Sequence, residues 1–183
     1  MAKKASRIPN PLALNMYVLG YDSKKKLVNV NQAVKENLQT YLGQYRMVTD
    51  AINIKNAYVI NIGVKFSLMT RPTFNKNEVL LRAIETVKTF FNIDRWQVNQ
   101  PIILSDLVYQ LSLVDGVATI VPPVEDNKQS LPIIITNKYK TANGYSGNLY
   151  DIDTATKNGI IYPSLDPSIF ELKYPGIDIE GHV

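Results

Sequence analysis

The stretch that decides the fold is residues 58–69, YVINIGVKFSLM, in which apolar side chains recur at every second position. The apolar set consists of Tyr58, Ile60, Ile62, Val64, Phe66 and Leu68. A strand points successive side chains to opposite faces, so a period of two over this length indicates a long strand. This period also predicts that only one face of the strand is buried. The other face would carry Val59, Asn61, Gly63, Lys65, Ser67 and Met69. Arg71-Pro72 ends the strand, because proline has no N–H to donate to a sheet.

Two helices are predicted after this strand. Apolar residues spaced by three and four give the first at residues 76–91, and Asn75 stands where a side-chain acceptor can cap it. The second, at residues 105–115, is expected to use Ser105 as its cap. Gly116 follows it, where a left-handed residue commonly ends a helix. Both helices are expected to pack on the buried face of the sheet.

Three further strands complete the predicted sheet. They are Trp96 to Leu104, Val117 to Val121 and Leu131 to Thr136, each apolar and bounded by turn or proline signals. With the strand from Ala57 to Met69 they form a mixed sheet of about four strands. The predicted fold class is therefore α+β, with the helices packed on one face of the sheet.

A long amphipathic helix is predicted before the sheet. From Asn29 the apolar residues recur at spacings of three and four: Val30, Val34, Leu38, Tyr41, Leu42, Tyr45 and Val48. This pattern covers about five helical turns. Asn29 or Asn31 can cap the helix, because an Asn side chain can accept from the free amides of the first turn. Residues 1–28 are expected to form a leading segment with at most one short helix or strand.

Residues 138–183 differ in character from the rest. They are rich in Gly, Asn, Pro and Tyr, and their apolar residues come in short clusters. Asn158-Gly159 predicts a hairpin, because both positions tolerate positive φ. The clusters are too thin to make a core alone, so we expect an extended arm that docks on the domain or on another subunit. The predicted organisation is a leading segment at 1–28, an α+β domain at 29–137 and an arm at 138–183.

Composition narrows the function classes. The chain contains no cysteine, which excludes disulfides and thiolate metal sites. It has no apolar run of membrane-spanning length, and its start lacks the apolar core of a secretory signal. We therefore expect a soluble protein made in the cytoplasm, with no membrane partner. The net charge of +4 comes from 20 Lys and Arg against 16 Asp and Glu. The basic residues are divided between an expected tail, a turn at Lys24 to Lys26 and single positions among carboxylates, which favours a solvated surface over a nucleic-acid footprint.

The sequence contains few residues that could support catalysis. The single histidine, His182, is one residue from the end, where termini commonly fray, so it is a poor general base. Asp151 and Asp153 could hold a divalent cation, but no glycine-bearing calcium loop surrounds them, and a solvated loop is the simpler interpretation. We expect no enzyme activity, no cofactor and no metal.

Residues 57–121 are predicted to follow the order strand, helix, strand, helix, strand, and the short last helix ends in Val114-Asp115-Gly116-Val117. This order resembles the C-terminal module of baseplate J-like proteins. Two stretches sharpen the resemblance, VKENLQTYLGQYRMVTDAINIKNAYVINIGVKF at residues 34–66 and TATKNGIIYPSLDPSIFELKYP at residues 154–175. Together they are similar to the C-terminal part of the baseplate wedge subunit of T-even-like myophages. The similarity runs from about Pro11 to the end.

This resemblance implies a structural role in the virion. In that family the protein builds the inner ring of the contractile tail baseplate, pairs with copies of itself and joins other wedge subunits. Family members are several times longer, so the chain matches only their C-terminal portion. The alternative function is a nucleic-acid-binding module that uses the net positive charge and the tyrosines.

A subunit interface is expected on the first helix and on the arm, since both carry apolar area that one small sheet cannot cover. On the helix, Tyr41 and Tyr45 share the apolar stripe, and tyrosines in such a position are more often core residues than contacts. Arg46 lies on the flank of the stripe and could either pair with a partner carboxylate or be solvated. The predicted interface consists of Tyr41, Tyr45, Arg46, Ile161, Tyr162, Ile169, Phe170 and Tyr174.

Overall fold

In this computed structural model, residues 13–45, 51–122 and 131–183 are described. Within these ranges the chain is mixed α+β, with five α-helices and several sheets. It divides into two compact units, an N-terminal unit up to Ala57 and a C-terminal unit from Tyr58 to Val183. The division falls at the start of the long strand rather than at the expected boundaries near residues 28 and 137.

The N-terminal unit contains four strands and one helix among its described residues. These are β1 (Ala13–Val18), β2 (Gly20–Tyr21), β3 (Leu27–Val28), α1 (Gln32–Gly43) and β4 (Ala51–Asn56). Strands β1 and β4 pair in parallel over their full length, and β2 and β3 form a small antiparallel hairpin. The helix therefore lies within a crossover between two parallel strands.

Helix α1 is shorter than the periodicity predicts. Asn31 caps it as expected, since its side chain accepts from the backbone N–H of Val34 at 2.9 Å. The helix ends at Gly43, whereas the apolar pattern continues to Val48, which lies outside the described residues. None of its residues is buried.

The C-terminal unit contains the remaining elements. Its strands are β5 (Tyr58–Thr70), β6 (Ile102–Ile103), β7 (Val117–Val121), β8 (Ile133–Asn137), β9 (Thr156–Lys157), β10 (Ile160–Ile161), β11 (Ser168–Glu171) and β12 (Ile179–His182). Its helices are α2 (Lys76–Phe90), α3 (Leu104–Ser112), α4 (Ile152–Ala155) and α5 (Pro175–Asp178), and a 3-10 turn spans Thr141–Asn143.

Strand β5 is the centre of the main sheet. It pairs in parallel with β11 and β12 and antiparallel with β7 and β8. Residues 64–66 pair with both β8 and β12, so these two strands flank β5 on opposite edges. The predicted strands at 57–69, 117–121 and 131–136 are thus confirmed as members of one mixed sheet.

The expectation of a single buried face on β5 is wrong, because Val59, Asn61 and Gly63 are buried as well as the apolar set from Ile60 to Leu68. Tyr58, the first residue of that set, is 36% exposed. A loop covers this second face. Ser146 donates its N–H to Asn61 Oδ1 at 2.7 Å and its hydroxyl to the carbonyl of Val59 at 2.8 Å. An added Cβ at Gly63 would collide with Lys138, which shows how closely the covering chain approaches.

Helices α2 and α3 form where two helices were predicted and pack on β12, on β7 and on each other. The predicted end of α3 is wrong: the helix stops at Ser112 with Leu113 as its C-cap, so Gly116, although its φ is positive, does not end it. Asn75 caps α2 by accepting from Asn77 N at 3.0 Å. The expected cap at Ser105 is wrong: α3 begins one residue earlier, and Leu104 N donates instead to the carbonyl of Gly159 at 3.0 Å. A contact from a distant hairpin replaces the local side-chain cap.

The predicted strand from Trp96 to Leu104 is mostly absent. Only Ile102–Ile103 is extended in a sheet, and it pairs with β10 in a separate sheet of three strands, β6-β10-β9. Trp96 packs instead against Phe91, with ring centroids 5.3 Å apart. Asn99 has a positive φ of 60° and breaks the extension, because a left-handed residue turns the chain.

The segment from residue 138 onward is not the extended arm that its composition suggests. Its strands β11 and β12 both join the main sheet beside β5. Of the two docking sites expected for this segment, the domain or another subunit, the structure shows the domain, because Ile169 and Phe170 are buried in the main sheet. The predicted hairpin is confirmed: Asn158 and Gly159 have φ of 53° and 75° and connect the antiparallel pair β9 and β10.

Candidate interaction surfaces

The predicted interface residues of the first helix lie at the surface. Tyr41 and Tyr45 are 57% and 73% exposed, with ring centroids 5.2 Å apart. Their place on the apolar stripe favoured the core, but both lie at the surface of the chain. Their role as subunit contacts stays a prediction. Arg46 lies outside the described residues.

The apolar stripe that begins on α1 is at most half-buried among the described residues. We define the α1 stripe as Val34, Leu38, Tyr41, Leu42 and Tyr45, of which Leu38 and Leu42 are half-buried and the others exposed. The helix contacts β4, where Gln39 Nε2 donates to the carbonyl of Ile52 at 3.2 Å. This polar contact leaves the aromatic end of the stripe open to solvent.

The N-terminal unit has almost no core among its described side chains. Only Leu27 and Ala57 are buried there, and Leu14 on β1 is 62% exposed. A two-stranded parallel sheet is marginal by itself, and parallel sheets usually have both faces covered. Additional apolar contacts on this unit would therefore be strongly favourable.

Three of the predicted interface residues build the protein's own core instead. Ile161, Ile169 and Phe170 are 1%, 3% and 2% exposed. Ile161 pairs with Ile102, and Ile169 pairs with Val59 of β5. Assigning them to a subunit interface was wrong, because parallel pairing with β5 buries Ile169 and Phe170 and antiparallel pairing with β6 buries Ile161 within the chain.

The remaining two, Tyr162 and Tyr174, differ from each other. Tyr162 is 47% exposed, and its carbonyl accepts from Tyr150 Oη at 2.7 Å. Tyr174 is half-buried, with its ring edge-on to Tyr145 at a centroid distance of 5.4 Å. Only Tyr162 of this pair presents a largely accessible ring.

A second apolar surface lies around the first residue of β5. We define the Tyr58 patch as Tyr58, Leu149, Tyr162 and Leu165, which are 36%, 68%, 47% and 106% exposed. Tyr58 N donates to the carbonyl of Pro167 at 2.9 Å, and Tyr58 Oη donates weakly to the carbonyl of Leu149 at 3.5 Å. These bonds draw both loops to Tyr58.

Sequence reasoning missed Leu149 and Leu165. A signal exists for Leu165, which stands between Pro163-Ser164 and Asp166-Pro167. A large apolar residue inside a short proline-bounded polar loop has no strand or helix face to join, so it tends to remain at the surface. Leu149 follows a Gly-Asn pair and gives a weaker version of the same signal.

Within the C-terminal unit, the buried carboxylate of Asp178 accepts two hydrogen bonds. Tyr145 Oη donates to Asp178 Oδ1 at 2.5 Å, and Tyr174 N donates to the other carboxylate oxygen at 2.8 Å. Burial, and then the hydrogen bond to Asp178, raise the pKa of the Tyr145 phenol above its ordinary value. A tyrosine held protonated against a buried carboxylate fixes the covering loop in place.

The carboxylates weighed as a cation site have a local role. Asp151 caps α4, since its oxygens accept from Thr154 N at 3.1 Å and from Thr154 Oγ1 at 2.6 Å. Across the three described ranges, no group of His, Cys, Asp and Glu could hold a metal ion. An open cleft of about 450 Å³ lies beside α2 and is lined by Glu85, Thr86, Thr89, Phe90, Arg95 and Gln110.

The described part of the chain contains no helix that is both long and apolar enough to cross a bilayer. The α1 stripe and the Tyr58 patch expose large apolar side chains, and such surfaces call for a functional explanation. No protein-family model matches the chain, and no curated protein matches it.

Proposed function

We propose that the chain is a structural subunit of a contractile phage tail baseplate. It acts by self-association and by binding other baseplate wedge proteins, without catalysis, and it is made in the host cytoplasm and carried in the virion. The sequence resemblance described above motivates this assignment. The observation that carries it is helix α1, which has an apolar stripe and no buried residue.

Association would lower the free energy of the exposed stripe. Removing apolar surface from water contributes roughly 25 cal/mol per Å², and aromatic residues contribute large areas. Tyr41 and Tyr45 hold each other in a tilted ring contact, so ordering their side chains at an interface costs less entropy. Tyrosine is also among the residues enriched at protein interfaces.

A ring-building subunit needs more than one contact surface. The α1 stripe belongs to the N-terminal unit, and the Tyr58 patch belongs to the C-terminal unit. One surface alone can make only a closed pair with an identical copy. Two surfaces on separate units allow the chain to contact a copy of itself and a different wedge protein at once.

The test is light scattering on the chain alone and mixed with other baseplate wedge proteins of the same phage. The double variant Tyr41→Lys, Tyr45→Lys is expected to weaken association at least tenfold, since aromatic anchors contribute about 2 kcal/mol when buried. Tyr109→Lys is the matched control, because Tyr109 on α3 is 60% exposed and outside both surfaces. Assembly of the double variant at the wild-type concentration would contradict the proposal.

The alternative, a nucleic-acid-binding module, gains support from the distribution of charge. Residues 1–57 contain nine Lys and Arg against three Asp and Glu, a net charge of +6, whereas residues 58–183 contain eleven against thirteen, a net charge of −2. Binding to single-stranded DNA that falls steeply between low and moderate salt would favour this alternative. Absence of binding at low salt would exclude it.

A further inference from the structure

Two Asn-Gly pairs occur in the chain, Asn143-Gly144 and Asn158-Gly159. In such a pair the backbone nitrogen of the glycine can attack the side-chain amide carbon of the asparagine, because glycine has no side chain to obstruct the approach. The reaction requires a free amide N–H and freedom for the backbone to rotate. The structure gives the two pairs very different surroundings.

Gly144 is held in place. Its N–H donates to the carbonyl of Thr141 at 2.9 Å, closing the 3-10 turn that contains Asn143. A Cβ added to Gly144 would lie 2.5 Å from the hydroxyl oxygen of Tyr174. Attack by this nitrogen would first have to break a hydrogen bond and then displace a packed tyrosine.

Gly159 is open. A Cβ added there would meet nothing within 4 Å, and Asn158 beside it is exposed. The residues that close this two-residue turn are Lys157 and Ile160, so the ladder uses their backbone groups and not the N–H of Gly159. Although Gly159 is half-buried, its nitrogen takes no part in the ladder, and the exposed Asn158 side chain has free space beside this glycine.

We propose that Asn158 is a site of spontaneous deamidation and that Asn143 is protected in the folded chain. The Gly159 nitrogen loses its proton to base and bonds to Cγ of Asn158, and the bond from Cγ to the amide nitrogen breaks. The released amide nitrogen takes up a proton and leaves as ammonia, and a five-membered succinimide ring remains. Water then adds to one of its two carbonyls, giving aspartate or isoaspartate.

The product would alter a contact on which α3 depends. Isoaspartate inserts one extra carbon into the main chain of a turn that has only two residues between its paired strands. The carbonyl of Gly159 accepts from Leu104 N at 3.0 Å, and no side chain caps this helix. The modification is therefore expected to loosen the β9–β10 hairpin and the start of α3 together.

The test is peptide mapping by mass spectrometry after incubation of the folded wild-type chain at mildly alkaline pH. Conversion of an amide to an acid changes the peptide mass, and isoaspartate elutes separately from aspartate. We expect Asn158 to convert several-fold faster than Asn143. In concentrated urea the two rates should become similar, because unfolding frees Gly144 from Thr141 and Tyr174.

The variant Asn143→Gln serves as a control and should leave conversion at residue 158 unchanged, while Asn158→Gln should abolish it. Conversion of Asn143 as fast as Asn158 in the folded chain would overturn the proposal. The proposal would also be overturned if Asn158 stayed unchanged in the folded chain during a time in which both asparagines convert in urea. The hairpin would then protect Asn158.

Discussion

The Nδ2 atom of Asn61 donates a hydrogen bond of 2.7 Å to Oε2 of Glu171, and both side chains are buried in the main sheet. The pair joins β5 to β11 across 110 positions of sequence. A buried carboxylate is costly unless its oxygens are satisfied, so the two residues depend on each other.

We expect Glu171→Ala to lower the free energy of unfolding by about 1–3 kcal/mol, because Asn61 would lose its buried acceptor. Urea unfolding measures the change. Glu180→Ala is the control, since Glu180 on the neighbouring strand β12 is partly exposed and makes only surface ion pairs with Lys65 and Lys138. An effect no larger than that of the control would show that the buried pair does not stabilise the sheet.

Phe170→Ala should cost about 3–5 kcal/mol of stability, because the ring is 2% exposed in the core. Tyr162→Ala, which removes a ring of similar size that is 47% exposed, should cost far less. Thermal unfolding of the two variants gives the comparison. Equal stability would restore the interpretation of this segment as an arm that docks only on a partner.

Gly116→Ala should destabilise the chain by about 1–3 kcal/mol. Gly116 has a φ of 93°, and an added Cβ would lie 2.6 Å from Cγ2 of Val79 on α2. Gly176→Ala is the matched control, because a Cβ there meets nothing within 4 Å. Chemical denaturation of both variants should separate them, and a neutral Gly116→Ala would mean that α2 shifts freely at this contact.

Stability should fall as pH rises above the ordinary tyrosine pKa of 10.0, because the folded chain holds the pKa of Tyr145 higher than the unfolded chain does. Its contribution is complete below the unfolded pKa and is lost above it. Tyr145→Phe should make the loss of stability at alkaline pH less steep. Some loss should remain, because burial also raises the pKa of Tyr150. Urea midpoints from pH 8 to 11 measure the slope, with Tyr109→Phe as control, and identical slopes in the two variants would contradict the assignment.

Local signals in the sequence predicted local structure well. Asn31 and Asn75 cap their helices and Asn158-Gly159 makes its turn, because each depends on groups within four residues of itself. The parallel pairing of β11 and β12 with β5 joins residues more than a hundred positions apart. Short apolar clusters in a Gly- and Pro-rich segment do not show which strand they would pair with or in which register. The sequence therefore could not distinguish a strand of the sheet from an arm.

The candidate surfaces could be predicted only in part, because they too depend on contacts between distant parts of the sequence. The α1 stripe was visible as periodicity, but periodicity does not show what covers a stripe. Tyr41 and Tyr45 are exposed although α1 contacts β4, which is a short strand of a two-stranded sheet. The Tyr58 patch depends on how two loops meet at β5, and spacing along the chain cannot reveal that meeting.

Hydrogen exchange of residues 32–43 as the chain associates tests the central claim most directly. If the α1 stripe is the contact surface, the amides of α1 should gain protection in the assembled state, with baseplate wedge proteins or with a second copy, while those of α3 stay unchanged. Assembly that leaves the exchange of α1 as fast as in the free chain would contradict this account.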